Sequence, residues 1–394
     1  MVIWFRTGGE RGWREVFHTV KVERTYKPRV PKKSNLVSHS MIAIVIVLIA
    51  TLTALLVVVL FASKTSSVQL AHAQSVQSIQ FAYPSVRFHE YADVRAQSKR
   101  DSFSHIIPGI TKYSYTSERE YMTHYARCYY AVTMMKGGWD CLRHYEIIAS
   151  GCVPYFMNID ELPEGIMTTF PKALLRRAMR LPGVPTESDV RHAISTAGAL
   201  HIDFSIFPVE EYLELRAQML THFEARCLTR SLTRQLGLAP RAHVAVFSLI
   251  VSGQQDYQRD LIVISLLENN CTVTTNFDIG FLFDDFPQAK TISLYGRGMT
   301  YTRELPASLR ELHTKVDSGA RKVPEAVDTC IFTTKSNSPI PSIDRYNIAP
   351  PTRVIEVDGN DGVGKVLKHR RSAARFVREL YRPSRAPETL PRPV

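Results

Sequence analysis

The clearest pattern along the chain is an uncharged apolar run of 22 residues from Met41 to Ala62. As a helix rising about 1.5 Å per residue, the run would extend about 33 Å, which matches the hydrocarbon core of a bilayer. Basic residues are frequent before the run, whereas Lys64 is the only Lys or Arg between positions 63 and 86. The pattern therefore predicts a single transmembrane helix with a cytoplasmic N-terminus.

Two other interpretations of this run are open. A buried core helix would be unusually long without a charge, and a cleaved signal peptide would have a shorter apolar stretch nearer the start, although Ala71-His72-Ala73 fits a cleavage site. An uncleaved anchor fits better. It predicts a type II single-pass protein of the Golgi or endoplasmic reticulum membrane, with most of the chain in the lumen. All six cysteines would face that oxidising side, where disulfides are permitted.

Beyond the run, apolar positions follow helical and strand periodicities in turn. Helices are predicted over 118–135, 140–149 (capped by Asp140 and ended by Gly151), 171–180, 209–236 and 256–268, and strands over 152–156, 243–250, 271–275, 329–333 and 353–357. Strands that alternate with helices at these intervals are typical of a mostly parallel sheet covered by helices. The predicted fold class is α/β.

The same pattern divides the chain into six segments. They are a cytoplasmic basic tail (1–40), the transmembrane helix (41–62), a stem and irregular lead-in (63–112), a first lobe (113–237), a second lobe (238–380) and a disordered basic tail (381–394).

Net charge follows these segments. The chain carries +12 overall, of which residues 1–40 contribute +6 and residues 365–394 contribute +7, so that residues 41–364 are close to neutral at −1. A nucleic-acid-binding domain would carry its positive charge on a folded face. The charge therefore indicates membrane topology and a basic extension, and no nucleic-acid partner is predicted.

The densest candidate site is KGGWDCLRHYEIIASG, residues 136–151. On a helix that begins near Asp140, Arg143 and Glu146 are three positions apart and share a face. A glycine break before a helix N-terminus also exposes backbone N–H groups that favour phosphate. The pair could bind a diphosphate and ribose hydroxyls, or it could be an ordinary salt bridge on an amphipathic helix.

Two stretches, KGGWDCLRHYEIIASGCVPYF and TTFPKALLRRAM, resemble the nucleotide-sugar-binding half of a glycosyltransferase-like family with the GT-B fold. The resemblance implies two Rossmann-like lobes, with 113–237 as the nucleotide-sugar-binding lobe. It also implies that Glu146 contacts the ribose, that Arg143 or Lys136 neutralises the diphosphate, and that Gly151 completes the motif. Gly138 stands where retaining enzymes of this fold have a second glutamate, so the stereochemistry stays open.

The second lobe resembles the acceptor-side half of the same family, through segments that include DYQRDL at Asp256, LYGRGMTY around Arg297, and VDGND, which ends at Asp361. The family places this half first, so the chain looks circularly permuted, or like one half from each of two adjacent copies. An inverting transfer needs a base for the acceptor hydroxyl, and Asp256, Asp358 and Asp361 are the candidates. Each could instead cap a helix or hold a turn. Arg297 could bind an anion or simply form a turn.

Two further motifs do not carry a function. The stretch from Gly359 to Lys365 fits G-x-x-x-x-G-K, but Val366 replaces the hydroxyl residue that ligates magnesium in a phosphate-binding loop. The acidic pair Asp284-Asp285 lacks the spacing of a metal-binding Asp-x-Asp. No metal and no cofactor are predicted.

The sequence therefore predicts a membrane-anchored glycosyltransferase that moves a sugar from a nucleotide-sugar donor to a hydroxyl of a glycan, lipid or protein acceptor. The alternative is a non-catalytic membrane-anchored protein with a degenerate or permuted glycosyltransferase fold. An enzyme of the GT-A or exostosin type is a third, weaker option.

Overall fold

A computed structural model of the chain describes residues 76–111, 115–248, 255–319, 321–334, 343–360 and 372–379, all of which belong to one compact unit. The predicted transmembrane run at 41–62, the two terminal tails and Asp361 lie outside these ranges. Among the helices within them, none combines the length and the apolar character needed to cross a membrane.

Strands and helices alternate along the described chain. The strands are β1 (Val76–Ser78), β2 (Asp101–Phe103), β3 (Cys128–Thr133), β4 (Val153–Phe156), β5 (His243–Ser248), β6 (Thr272–Thr275), β7 (His313–Lys315), β8 (Thr329–Thr334), β9 (Arg353–Asp358) and β10 (Ala374–Val377). The α-helices are α1 (Ser85–Glu90), α2 (Ala92–Arg95), α3 (Glu118–Arg127), α4 (Leu142–Ala149), α5 (Lys172–Met179), α6 (Glu187–Ser195), α7 (Val209–Arg226), α8 (Leu232–Gln235), α9 (Tyr257–Glu268) and α10 (Gln288–Thr291).

The strands form two parallel sheets. The larger sheet has seven strands in the order β1-β10-β9-β8-β5-β6-β7, and the smaller one has three in the order β2-β3-β4. Every pairing in both sheets is parallel. The central strands β5 and β8 are buried along almost their whole length, as is typical of parallel strands that are covered on both faces. The prediction of an α/β fold with a large parallel sheet is confirmed.

Two predicted helices are shorter in the structure. The helix predicted over 118–135 ends at Arg127, and Cys128 begins strand β3. Residues 128–133 are mostly aromatic or small apolar residues, and they are buried on both faces of the small sheet. In a short apolar run of this kind, periodicity does not distinguish a strand from a buried helix. The helix predicted over 209–236 ends at Arg226, and a 3₁₀ turn (Thr229–Ser231) separates it from α8.

The predicted irregular lead-in is ordered from residue 76 onward. Strand β1 pairs with β10 at the edge of the large sheet, and the pairing continues where the Ile79 N–H donates to the Val377 carbonyl at 3.2 Å. Phe81, Tyr83 and Phe88 then enter the core. This segment was missed because its strands are only three residues long and their partners lie far along the chain.

Part of the basic C-terminal stretch also belongs to the core. Arg375 on β10 bonds Glu356 at 2.7 Å and Asp358 at 3.0 Å, both on the adjacent strand β9. Arg375 and Arg378 are each only 2% exposed. The positive charge of residues 365–394 is therefore not carried by an extension alone. All six cysteines fall within the described residues, and each is a free thiol.

Gly151 ends α4 in a conformation that requires glycine. Its φ is +78°, and a Cβ atom built there would lie 2.5 Å from the Arg216 guanidinium. Its carbonyl accepts hydrogen bonds from Lys99 Nζ and Arg216 Nε, both at 2.7 Å. The glycine thus lets the chain turn from α4 into β4 while two cations satisfy its carbonyl.

We expect Gly151→Ala to lower the free energy of unfolding by about 1–3 kcal/mol, because a left-handed non-glycine residue is strained and the new methyl group displaces Arg216. Urea unfolding of the purified full-length protein measures this. Gly319→Ala is the matched control, since a Cβ there meets nothing closer than 3.5 Å. Equal free energies of unfolding for the two variants would contradict the requirement for glycine at position 151.

Candidate functional site

The carboxyl edges of the two sheets face each other across the loop 134–141. This loop follows β3 and leads into α4, while the residues that follow β9 and β10 approach it from the large sheet. Arg378 Nη1 donates to the Asp140 carbonyl at 2.6 Å, and the Asp140 N–H donates to Glu379 at 2.9 Å. Arg378 also donates to the Gly359 carbonyl beyond β9 at 2.9 Å. In open α/β sheets, ligands bind beyond the carboxyl ends of the strands.

Asp140 is held by its side chain as well as by its backbone. One carboxylate oxygen accepts from the Phe81 N–H at 2.6 Å, and the other accepts from the Tyr145 hydroxyl at 2.9 Å. Asp140 was predicted to cap the helix, but the helix starts one residue later and Cys141 occupies the N-cap position without a side-chain hydrogen bond. The carboxylate instead ties α4 to the segment that follows β1.

His144 fixes both ends of the same loop. Its Nδ1 lies 2.8 Å from the Thr133 hydroxyl at the end of β3, and its Nε2 lies 2.9 Å from the Trp139 carbonyl. Burial lowers the pKa of His144 to about 3, so the ring is neutral. With one protonated nitrogen, Nε2 donates to the carbonyl and Nδ1 accepts from the hydroxyl.

Glu146 joins α4 to the loop after α10. One of its carboxylate oxygens accepts from the Tyr121 hydroxyl, and the other accepts from the Thr300 hydroxyl, both at 2.7 Å. Arg143, one turn earlier, interacts electrostatically with Glu146 and with Tyr295, while burial lowers its pKa. Both side chains are half-buried. They therefore lie where the predicted first and second lobes meet.

The loop that receives them has an unusual backbone. Gly296 and Arg297 both have φ of +58°, and Thr300, a β-branched residue, has φ of +74°. Arg297 Nη1 donates to the Tyr115 carbonyl at 2.7 Å, so this side chain also crosses between the predicted lobes. Left-handed non-glycine residues persist only where the surroundings impose them, and they are frequent at functional sites.

The other predicted site residues lie in different places. Asp256 caps α9, and its Oδ1 accepts from the backbone N–H groups of Gln258 and Arg259. Lys136 is exposed on the loop, with its ammonium close to Gly109. Gly151 lies at the opposite end of α4, about 12 Å of helix away from Arg143.

Thus the structure brings together Arg143, Glu146 and Arg297, whereas the Asp256 carboxylate acts as a helix cap. Four residues that were not predicted also line this junction: Tyr121, Tyr257, Tyr295 and Thr300. Tyr295 and Thr300 lie on either side of the Gly-Arg-Gly segment that contains Arg297. Their closeness to this segment in the sequence is the signal from which they could have been predicted.

We define Arg143, Glu146, Tyr257, Tyr295 and Arg297 as the junction site. In the described part of the chain, no group of three or more His, Cys, Asp or Glu side chains is arranged to hold a metal ion. A depression of about 720 Å³ lies elsewhere, along residues 345–354. It borders the amino end of β9, which is the opposite edge of the sheet from the one where ligands bind in open α/β folds.

No protein-family model, no curated protein and no solved structure matches this chain. The function is therefore argued from the chemistry of the junction site.

The buried histidines make stability depend on pH. Burial lowers the pKa of His144 to about 3 and that of His124 and His313 to about 4, below the usual value near 6.5. Because the unfolded chain takes up these protons first, stability is full above pH 6.5 and falls as the pH drops toward 3–4. We expect the loss to reach about 1.4 kcal/mol per pH unit for the fully buried His144, and to be smaller for the half-buried His124 and His313, where solvent screens the charge.

His144→Gln should therefore make the free energy of unfolding less dependent on pH between pH 6 and 4. The slope should fall by up to the contribution of one bound proton, about 1.4 kcal/mol per pH unit. Urea titrations at several pH values measure this slope. An unchanged slope would show that His144 is not buried in its neutral form.

Proposed function

We propose that this protein is a membrane-anchored glycosyltransferase with two Rossmann-like lobes in a GT-B-like arrangement, which transfers a sugar from a nucleotide-sugar donor to a hydroxyl acceptor. One observation carries the proposal. Arg143 and Glu146, on the helix that follows β3, meet the loop bearing Arg297 where the carboxyl edges of two parallel sheets face each other. This is the position at which α/β folds bind nucleotides.

The charges at the junction site suit a nucleotide diphosphate. Arg143 would pair with the diphosphate, assisted by Arg297, and would stabilise the charge that develops as the diphosphate departs. Glu146 would accept hydrogen bonds from the ribose hydroxyls. It already accepts one hydrogen bond at each oxygen, but a carboxylate offers about four acceptor positions, so two remain for a ligand.

The pairing of β1 with β10 supports a functional site despite the permuted order. These two strands come from opposite ends of the described chain, yet they are parallel neighbours in one sheet. A permuted chain would lack the covalent link that the family has between its two halves. The pairing of β1 with β10 would still allow the two halves to face each other within one chain. The predicted lobe 113–237 contains two of the small sheet's three strands, β3 and β4, and 238–380 supplies six of the seven strands of the large one.

Three aspartates were candidates for the acceptor base. The Asp256 carboxylate caps α9 and Asp358 pairs with Arg375, so Asp361 is the base in this proposal. The apolar run at 41–62 would anchor the enzyme as a type II protein of the Golgi or endoplasmic reticulum, with the catalytic part in the lumen.

A non-catalytic relative that keeps the fold for binding is the second candidate. The observation that favours it is the satisfied state of two carboxylates, Asp256 as a cap and Glu146 between Tyr121 and Thr300. Such a protein would bind a nucleotide sugar without transferring the sugar.

Donor binding tests the proposal through Arg143 and Glu146. We expect one or more members of a panel of UDP-, GDP- and CMP-sugars to raise the melting temperature of the full-length protein in detergent. Arg143→Gln and Glu146→Gln should each weaken binding by about tenfold or more, because each removes a charge-assisted contact. Isothermal titration calorimetry gives the affinities.

Arg177→Gln is the matched control, because this arginine is 60% exposed on α5 and pairs only weakly with Glu211 at 3.6 Å. It should bind donors as the unsubstituted protein does. Absence of stabilisation by every donor, or equal affinities for all three variants, would overturn the donor-site assignment. Donor binding with no release of nucleoside diphosphate in the presence of acceptors would support the non-catalytic candidate.

A further inference from the structure

Tyr295 projects from the junction site into solvent. Its side chain is 68% exposed, although it lies beside the half-buried Arg143 and the strained loop 296–300. A single exposed apolar side chain is ordinary on a protein surface. Here the exposed ring stands beside Arg143 at the junction site, where a bound ligand could cover it.

The Tyr295 backbone is anchored, and one neighbouring ring contacts its side chain. The Tyr301 hydroxyl donates to the Tyr295 carbonyl at 3.0 Å, and the Tyr257 ring lies behind it with the two centroids 5.5 Å apart. At Gly296, a Cβ atom would lie 2.9 Å from the Tyr257 hydroxyl, so only glycine lets the loop approach so closely. A ring that is already positioned loses little conformational entropy when a ligand stacks on it.

Arg143 links Tyr295 to the donor. Its guanidinium lies close enough to Glu146 and Tyr295 to be influenced by the charge of each, and the loop that carries Tyr295 also reaches Glu146 through the Thr300 hydroxyl at 2.7 Å. In a nucleotide sugar the diphosphate stands between the ribose and the sugar that is transferred. With Glu146 on the ribose and Arg143 on the diphosphate, Tyr295 neighbours the position where the transferred sugar meets its acceptor.

We infer that Tyr295 is a stacking platform for the acceptor and that the acceptor is a saccharide, an assignment that rests on the proposed function. The face of an aromatic ring is electron-rich and attracts the polarised C–H groups on the apolar face of a pyranose. The surrounding Arg143, Arg297 and Gly296 offer polar contacts for sugar hydroxyls.

The test measures saccharide and nucleotide binding separately on the full-length protein in detergent. Tetrasaccharides of glucose, mannose, galactose and N-acetylglucosamine are titrated by calorimetry, with and without UDP or GDP. We expect Tyr295→Ala to weaken the binding of at least one tetrasaccharide by about tenfold, because an anchoring aromatic ring is lost. Tyr295→Phe should stay within about twofold, since it keeps the ring face.

Phe204→Ala is the matched control, because Phe204 is a 50% exposed aromatic residue in the predicted first lobe, packed on Tyr129 rather than at the junction site. It should bind saccharides normally. In Tyr295→Ala, the affinity for the nucleoside diphosphate should fall by less than the affinity for the saccharide.

The outcomes separate this inference from the proposed function. If nucleotides bind but no tetrasaccharide does, or if Tyr295→Ala binds saccharide as well as Tyr295 does, the platform is wrong and the donor site stands. If a tetrasaccharide binds through Tyr295 and no nucleotide binds, the platform stands as a sugar-binding site and the glycosyltransferase proposal fails.

Discussion

The arrangement of the junction site depends on the hydrogen bonds made by Asp140. Its backbone joins Arg378 and Glu379 of the large sheet, and its carboxylate joins Phe81 and Tyr145. Asp140 is only 2% exposed, and an unpaired buried carboxylate would be costly, so these four bonds hold the first turn of α4 in one place. The position of Arg143 relative to the large sheet follows from this anchor.

The sequence around α4 divides into two sets of side chains by helical periodicity. His144 and Tyr145 turn inward, where they fix the loop to β3 and to Asp140. Arg143 and Glu146 lie on the other face and reach the loop that carries Tyr295 and Thr300. One short helix thus carries both the residues that position the site and those with the charge to bind a ligand.

Much of the fold could be predicted from sequence, because the apolar pattern within a long strand or helix is enough to predict that element. The strands β5, β8 and β9 and the helix α9 lie close to their predicted positions. Strand β1 could not be found in this way, because three residues carry no periodicity and the stability of β1 comes from pairing with β10, about 300 residues later.

The candidate site was predictable only in part, for a related reason. The spacing of Arg143 and Glu146 indicated a shared helix face, whereas their contact with Thr300 arises from tertiary packing. A sequence pattern cannot distinguish an aspartate that caps a helix from one that acts as a base, and the Asp256 backbone contacts decide that question in favour of the cap. The exposure of Tyr295 likewise follows from the turn geometry of its neighbours.

The central claim is that a nucleoside diphosphate binds between α4 and the loop bearing Arg297. A crystal structure of the protein grown with UDP or GDP would test this binding mode. We expect the diphosphate within hydrogen-bond distance of Arg143 and the ribose hydroxyls on Glu146. A nucleotide bound elsewhere on the molecule, with none at the junction site, would rule this binding mode out.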